Sequence, residues 1–425
     1  MELCVAQDSD TQRQLRELRQ QNQALQEQLR QQQLQIESLT RKVTEIQNAD
    51  SHSYDALNSQ PSEDNKGGQV QPTGPLNLGK INISGEGGVA FFETGKDGMS
   101  PHGEFRVDEA RLFVEAPVWG NFYFFSELNL ITREASDLSL QLGELYLDVE
   151  NVSQLWNRDR MLNLRFGRMY TPFGEEYQVR YAIDNPLISH SLSDIWGVDE
   201  GIELYGKLGN FTYAVAVQNG GPSGGRDFSS DKSVAGRIGF DPTSWLHLSA
   251  SAMRTGDMKP PGDYWSELWF GNGWFMPIGS GRTTEFHANL VEGDIELRLP
   301  HGHLKAFGGY ARYADNDPVA NNGRDIYYYS VEAVQDLLHN LYAGVRFSQI
   351  LVDKGYPIAG NGSTDEYLFS GEFAEEIWRL SLGLGYRWNQ NLLTKIEYSF
   401  EHGKLVNGEQ RNHEDLFAIE AAFKF

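Results

Sequence analysis

From residue 80 to the C-terminus the side chains take turns, apolar then polar, over segments longer than an ordinary strand. Trp378, Leu380, Leu382, Leu384, Tyr386 and Trp388 share one face, opposite Arg379, Ser381, Gly383, Gly385 and Arg387. Thr394, Ile396, Tyr398 and Phe400 oppose Lys395, Glu397, Ser399 and Glu401, and Leu145, Leu147 and Val149 oppose Glu144, Tyr146 and Asp148. A period of two is the signature of a β-strand with two different faces. A soluble sandwich also alternates, but three features favour a transmembrane barrel. The segments run to about 9–14 residues, above the usual strand length. Aromatic residues close the apolar faces, as at Phe122, Phe124, Tyr386, Trp388 and Tyr398, which suits an interfacial girdle. The opposite faces mix Arg, Lys, Glu, Ser and Gly, which suits a wet lumen.

No run reaches 18 apolar residues, so no helix is expected to cross a membrane, while barrel strands leave no such run. The net charge of −23 argues against a nucleic-acid partner. The alternation predicts an all-β transmembrane antiparallel barrel of sixteen strands over residues 80–425. They are placed at 81–93, 104–118, 121–132, 139–150, 161–169, 201–208, 211–218, 233–241, 245–254, 284–299, 303–314, 324–335, 340–352, 374–388, 391–402 and 413–425. In the tenth, Phe286, Ala288 and Leu290 have one parity and Ile295, Leu297 and Leu299 the other. Either a bulge near Gly293 shifts the phase, or two strands lie there and the count is eighteen. Short turns at 119–121, 209–210, 241–244 and 389–391 alternate with long segments at 170–200, 255–282 and 353–365. That is the asymmetry between periplasmic turns and outside loops. An even strand count brings both ends of the barrel to the short-turn side.

The 170–200 segment is far longer than a hairpin loop, and it is expected to fold into the lumen and set the bore. A pore selects by the charges at its narrowest ring. The expected lumen and constriction residues are Arg111, Glu115, Glu144, Asp148, Arg165, Arg346, Arg379 and Arg387 on the wall, with Arg168, Glu175, Glu176, Arg180 and Asp184 from the loop. Lys207, Lys395, Glu127, Glu203, Glu397, Glu401, Asp194 and Asp199 complete a set in which the two signs nearly balance. No converging ladder of Arg or Lys stands out. Three other motifs read as ordinary structure: His301-Gly302-His303 as a turn, Asp315-Asn316-Asp317 as a polar loop tip, and His190, Ser191 and Asp194 as neighbours lacking an oxyanion hole. No catalytic residue, metal site or cofactor is expected.

Ahead of the barrel, residues 12–48 carry five heptads. Leu15, Asn22, Leu29, Ile36 and Val43 fall at a, and Leu18, Leu25, Gln32, Leu39 and Ile46 at d. This predicts an α-helical coiled coil, with Asn22 and Gln32 setting register and strand number. Residues 49–79, rich in Ser, Asn, Gln, Gly and Pro, read as a disordered linker. Residues 1–11, around Cys4-Val5-Ala6, read as the remnant of a signal peptide and a disordered start. The single cysteine allows no disulfide within the chain.

Several pieces of the barrel together resemble the phosphate-selective porin O and P family. The most specific is Arg165-Phe166-Gly167-Arg168-Met169-Tyr170-Thr171-Pro172-Phe173-Gly174-Glu175-Glu176, followed by Asp184-Asn185-Pro186, Gly201-Ile202-Glu203-Leu204-Tyr205-Gly206 and Gln218-Asn219-Gly220. Ala343-Gly344-Val345-Arg346-Phe347 and the terminal Phe425 continue the likeness. The resemblance implies a sixteen-stranded trimeric barrel in the outer-membrane lipid with a loop folded inward. The coiled coil, a departure from the simplest members, is expected as a periplasmic stalk with peptidoglycan or another envelope component as partner. Rival expectations are a sheath around an electron-carrying cytochrome and an envelope tether whose barrel is an anchor.

Overall fold

The computed structural model describes residues 81–133, 140–221, 227, 229–278 and 281–425. Residues 1–80 lie outside these, and with them the expected coiled coil, its Asn22 and Gln32, and the linker.

Eighteen β-strands follow in order: β1 (Asn82–Thr94), β2 (Glu104–Trp119), β3 (Phe122–Ile131), β4 (Gln141–Val149), β5 (Asn163–Tyr170), β6 (Trp196–Leu208), β7 (Phe211–Gln218), β8 (Ser233–Thr243), β9 (Leu246–Arg254), β10 (Leu268–Trp269), β11 (Phe286–Leu299), β12 (Gly302–Asp315), β13 (Arg324–Leu338), β14 (Leu341–Tyr356), β15 (Ala374–Asn389), β16 (Leu392–Leu405), β17 (Gln410–Arg411) and β18 (Leu416–Lys424). Sixteen of them pair antiparallel in chain order, and β18 pairs back onto β1, with Val89 opposite Ala421 and Thr94 opposite Leu416. The sheet is therefore a closed barrel. Closure removes every free edge, which is the condition for a sheet to sit in lipid. The two-residue strands β10 and β17 are additions, β10 pairing with the upper end of β6 and β17 with β16.

The outer wall presents Ile202, Leu204, Val215, Leu382, Leu384 and Ile396, each between 42% and 49% exposed. On the same strands, residues of the other parity are buried: Glu203, Tyr205, Ala214, Ser381 and Glu397. A water-soluble sheet places its aliphatic face inside. Here the aliphatic face is outside and the charged face inside, the arrangement of a barrel whose solvent is lipid.

The parity change in β11 is no bulge. Its register with β12 runs without a shift from Phe286 opposite Asp315 to Leu299 opposite Gly302. Phe286, Ala288, Leu290, Glu292, Asp294, Glu296 and Arg298 all share the inner parity. The upper three are apolar because connecting segments pack against them inside the bore, in one cluster with Phe270, Phe275, Ile278 and Tyr313. Neither a phase slip at Gly293 nor a split strand is present.

Because Leu382 faces lipid and Ser381 the interior, Leu382→Lys is expected to destabilise the barrel by roughly 2–4 kcal/mol if it lies near the bilayer midplane. Reversible urea unfolding in lipid vesicles measures the loss.

Candidate functional site

The chain leaves β5 at Tyr170 and returns at β6, and between them it crosses the bore. At its root stands Pro172-Phe173-Gly174-Glu175. Gly174 has φ +69°, a conformation that glycine adopts without strain. Its N–H donates to Ser251 Oγ at 3.0 Å and its carbonyl accepts from Arg237 Nη1 at 2.9 Å. A Cβ at this position would collide with the Glu292 carboxylate, so conformation and space both require glycine. Glu175 lies 3.5 Å from both Arg237 Nε and His247 Nε2 and accepts from Gln178 Nε2 at 2.8 Å. Burial works to raise its pKa, but Arg237 and His247 prevail and hold it at about 2. The anchor is therefore fully present above the ordinary glutamate range and is lost only as pH falls toward about 2.

Beyond the root the loop doubles on itself. Glu176 accepts from the Ser191 amide and hydroxyl, and Arg180 Nη2 pairs with Asp194 at 3.0 Å. The far end is fastened to the opposite wall. Ala182 N–H donates to Glu109 at 2.6 Å, and Lys395 Nζ reaches the carbonyls of Ala182, Asn185 and Leu187 at 2.7, 3.2 and 2.9 Å. Glu397 accepts from the amides of Ile188 and Ser189 and from the Ser189 hydroxyl. Arg346 donates to the Ser189 carbonyl at 2.7 Å and Arg379 to that of His190 at 3.1 Å. Leu187, 1% exposed, sits over Gly344 and Gly383, cross-strand neighbours on β14 and β15. A Cβ on Gly383 would come within 2.5 Å of Leu187 Cδ2, so the two glycines form a notch for the loop.

A second segment, between β9 and β11, also packs inward. Met258, Leu268, Phe270, Phe275 and Ile278 are buried against Phe173, Leu192 and Ile195 of the first loop and against inner-wall Ala288, Ile326 and Ile350. The 255–282 segment was expected outside the barrel. Its density of aromatics, Trp265, Trp269, Phe270, Trp274 and Phe275, was the signal against that, because so much apolar surface is costly to leave in water.

The inner wall from β2 to β11, away from the clamps of β14–β16, carries a second set of charged and aromatic side chains. Here Arg165 lies over the rings of Tyr146 and Tyr205, 4.2 and 4.9 Å from their centroids, and pairs with Asp148 at 3.3 Å and Glu203 at 3.4 Å. Arg111 lies over Tyr181 at 4.1 Å and faces Glu86, Glu109 and Glu127 at 3.3–3.5 Å. Glu144 accepts the Tyr170 amide at 3.0 Å. Arg237, His247, Glu292 and Asp294 complete this ring. The sequence reading did not single them out; they are the charged members of the inner parity on β8, β9 and β11, and on β11 the apolar upper half hid the phase.

Of the expected residues, Arg111, Glu144, Asp148, Arg165 and Glu175 come together there. Arg346 and Arg379 are buried between wall and loop, as clamps. Glu176 and Arg180 bind the two limbs of the loop, and Asp184 is half-buried at its tip. Glu115 and Arg387 are exposed, near the short-turn ends of β2 and β15. Arg168 does not enter the lumen. It shares its parity with Leu164 and Phe166 and pairs with Glu200 at 3.0 Å on the outward face, opposite Leu145. Strand pairing carries through Tyr170, so alternation and not the loop decides where Arg168 points.

The weaker motifs have structural roles. His303 Nε2 lies 2.9 Å from Glu332 Oε1 on the inner wall, while His301 is exposed in the turn. Asp317 accepts the amides of Val319 and Ala320, capping a loop tip. His190 is engaged by Asp194 and the Arg180 carbonyl, whereas Ser191 bonds Glu176 and Ser193. His190 and Ser191 do not pair with each other. Among the described residues no group of three or more metal-type ligands occurs.

A closed sixteen-strand barrel, apolar outside and charged within, crossed by the loop after β5, has the fold of the outer-membrane porins. No family model and no curated protein matches the chain, so membership of the phosphate-selective family is not shown. Among solved structures the chain is similar to OmpT, an outer membrane protein of Vibrio cholerae, with a TM-score of 0.54, 11% identity and coverage of 81% of this chain and 97% of that one. The outer membrane channel DcaP of Acinetobacter baumannii gives 0.52, 14%, 81% and 97%. OmpF of Salmonella typhi, in complex with daunomycin, gives 0.51, 12%, 81% and 97%. At these identities the likeness is one of fold.

The notch makes a test of the crossing. Gly383→Val fills it, displaces Leu187 and loosens the clamp by Lys395 and Glu397. Cleavage of the 182–190 segment by added protease is expected to rise at least several-fold while the barrel still migrates as folded on a gel.

Proposed function

We propose that the chain is an outer-membrane porin that lets small polar solutes or ions diffuse passively through a narrowed, water-filled bore. The observation that carries this is the loop itself. It crosses and narrows the barrel, clamped on β14–β16 at its far end and on β8 and β9 at its root, and the partly exposed Glu175, Tyr177 and Arg165 would border the path that remains. The sheath reading has no support in this geometry, since a partner threaded through the barrel needs the volume the loop occupies.

The charges favour a mild preference for cations. Arg111, Arg165 and Arg237 each face carboxylates, and their guanidinium faces lie on tyrosine rings. Glu144, Glu292 and Asp294 form no ion pair among the described residues. Carboxylates outnumber arginines along this wall, so a net field there would favour cations over anions. Arg111, Arg165 and Arg237, each facing carboxylates, lend no support to a phosphate preference.

A homotrimer fits the height of the wall. β5 and β7 have eight residues and β4 nine, against fourteen to sixteen in β12–β16. Eight residues tilted by about 40° rise about 20 Å, short of an apolar band about 25 Å tall. Neighbouring subunits packed on the low wall would cover the shortfall.

Single-channel recordings in a salt gradient test the reading. A conductance with a reversal potential of cation sign is expected. Arg165→Glu should move that potential further toward cations, and Arg168→Glu, on the outer face, should leave it unchanged. A protein that reconstitutes fully and passes no current ends the porin reading.

A further inference from the structure

At the root of the loop one imidazole stands between two carboxylates from different parts of the chain. His247 is the second residue of β9 and lies on the inner face, opposite Glu296 of β11. Its Nε2 is 3.5 Å from Glu175 Oε1 on the loop, and its Nδ1 is 3.0 Å from Asp241 Oδ1 near the end of β8. An ionised carboxylate only accepts, and a neutral imidazole has one N–H to give. Both contacts are hydrogen bonds only when the ring carries its second proton.

The surroundings decide which contact outlasts that proton. The Nδ1 contact is the shorter, and Asp241 is fixed beside it by Arg298 Nη1 at 3.2 Å. The remaining N–H therefore stays with Asp241, and the bare Nε2 is left facing Glu175. Glu175 keeps Arg237 Nε at 3.5 Å and Gln178 Nε2 at 2.8 Å. On β11, Glu296 is paired with Arg298 and Lys305, each at 3.2 Å, and Asp294 accepts from Ser249 Oγ at 2.8 Å. The side chains of His247 and Glu175 are 14% and 23% exposed, so a change of charge here is felt in the lumen.

We infer that His247 helps to set the selectivity of the passage and positions the loop root: as the imidazolium it ties Glu175 to the wall and adds a positive charge beside it, and as the neutral ring it does neither. This rests on the reading of the lumen as a water-filled passage. Histidine is the side chain that ordinarily changes charge between about pH 5 and 8. Raising the pH across that range removes one positive charge at the loop root and moves the balance toward cations. It also removes one of the holds on Glu175. A histidine that gains carboxylate partners on folding contributes stability at low pH, and the contribution is lost as the pH rises through its titration in the folded chain.

The test uses the full chain in bilayers, with a salt gradient, at about pH 5.5 and about pH 8.5, toward the two ends of the histidine range. The wild-type reversal potential is expected to move toward cations at the higher pH. His247→Gln, neutral throughout, should give at the lower pH a potential near that of the wild type at the higher, and lose at least half of the shift. His247→Lys, charged throughout, should keep the less cation-selective value at the higher pH. Any response of the neighbouring carboxylates is common to all three proteins, and the current itself shows that each variant has folded. A wild type that conducts without a shift, or a shift of full size in both variants, overturns the proposal and leaves the channel standing. Urea unfolding from lipid vesicles needs no current. The stability lost in His247→Gln is expected to be greater at the lower pH, and a loss of equal size at both overturns the bridge to Glu175. A wild type that passes no current ends the channel reading, and unfolding then decides the bridge by itself.

Discussion

A loop inside a barrel takes a long stretch of backbone away from bulk water, and every amide and carbonyl in it must find a partner. That constraint explains most of the charged side chains in this lumen. Lys395 caps three carbonyls, Glu397 takes two amides and a hydroxyl, and Arg346 and Arg379 take one carbonyl each. These are charge-assisted bonds in a water-poor setting, where each is worth more than its counterpart in water. Their own charges are balanced within the wall, Lys395 by Glu420 at 2.7 Å and Arg379 by Glu401 at 2.6 Å. Removing one member of such a pair leaves a buried charge uncompensated, at roughly 3–5 kcal/mol. The wall of β14–β18 is thus a mould for the loop, and its charges are part of the scaffold.

The strands were legible because alternation is a local property. A strand with lipid on one side and water or loop on the other must alternate at every step, so sixteen segments could be placed without knowing their partners. The loop after β5 was legible from its length. What each inward charge does was not. Arg165 and Arg379 look alike in sequence, both inward arginines in alternating strands. Arg165 lies on two tyrosine rings between Asp148 and Glu203, while Arg379 holds a carbonyl of the loop, and only the path of the loop distinguishes them. Arg168 was misplaced for a simpler reason: it was assigned to the loop when it still belongs to the strand, and two-residue periodicity then turns it outward. The glycines at 344 and 383 could be counted in the sequence, but a notch exists only when two strands pair them side by side.

The second inward segment follows from the same physics in reverse. Where the first loop meets the wall through charges, the 255–285 connection meets it through rings and aliphatic chains. It makes the upper bore along β11–β15 dry. The inner face of β11 records the boundary within a single strand, with Phe286, Ala288 and Leu290 on the dry side and Glu292, Asp294, Glu296 and Arg298 on the wet side. A strand that changes polarity along one face without changing register marks the depth at which packing gives way to solvent. In a barrel sequence, an apparent phase slip can therefore signal a plug.

Dividing the bore in this way bears on selectivity. A wide lumen screens its charges with water, so their sum matters little. Confining the path to one side brings the solute close to a few fixed groups in a lower dielectric, where each counts for more. Along β3–β8 the arginines lie flat on tyrosines and face carboxylates, which fixes their geometry and neutralises their pull on anions. The carboxylates beneath the loop root, Glu292 and Asp294, are held by hydroxyls, Tyr328 and Ser249, and by each other. An acidic chain does not by itself make a cation channel; the proposed preference rests on where the arginines are held, because Arg111, Arg165 and Arg237 are each occupied by carboxylates and tyrosine rings.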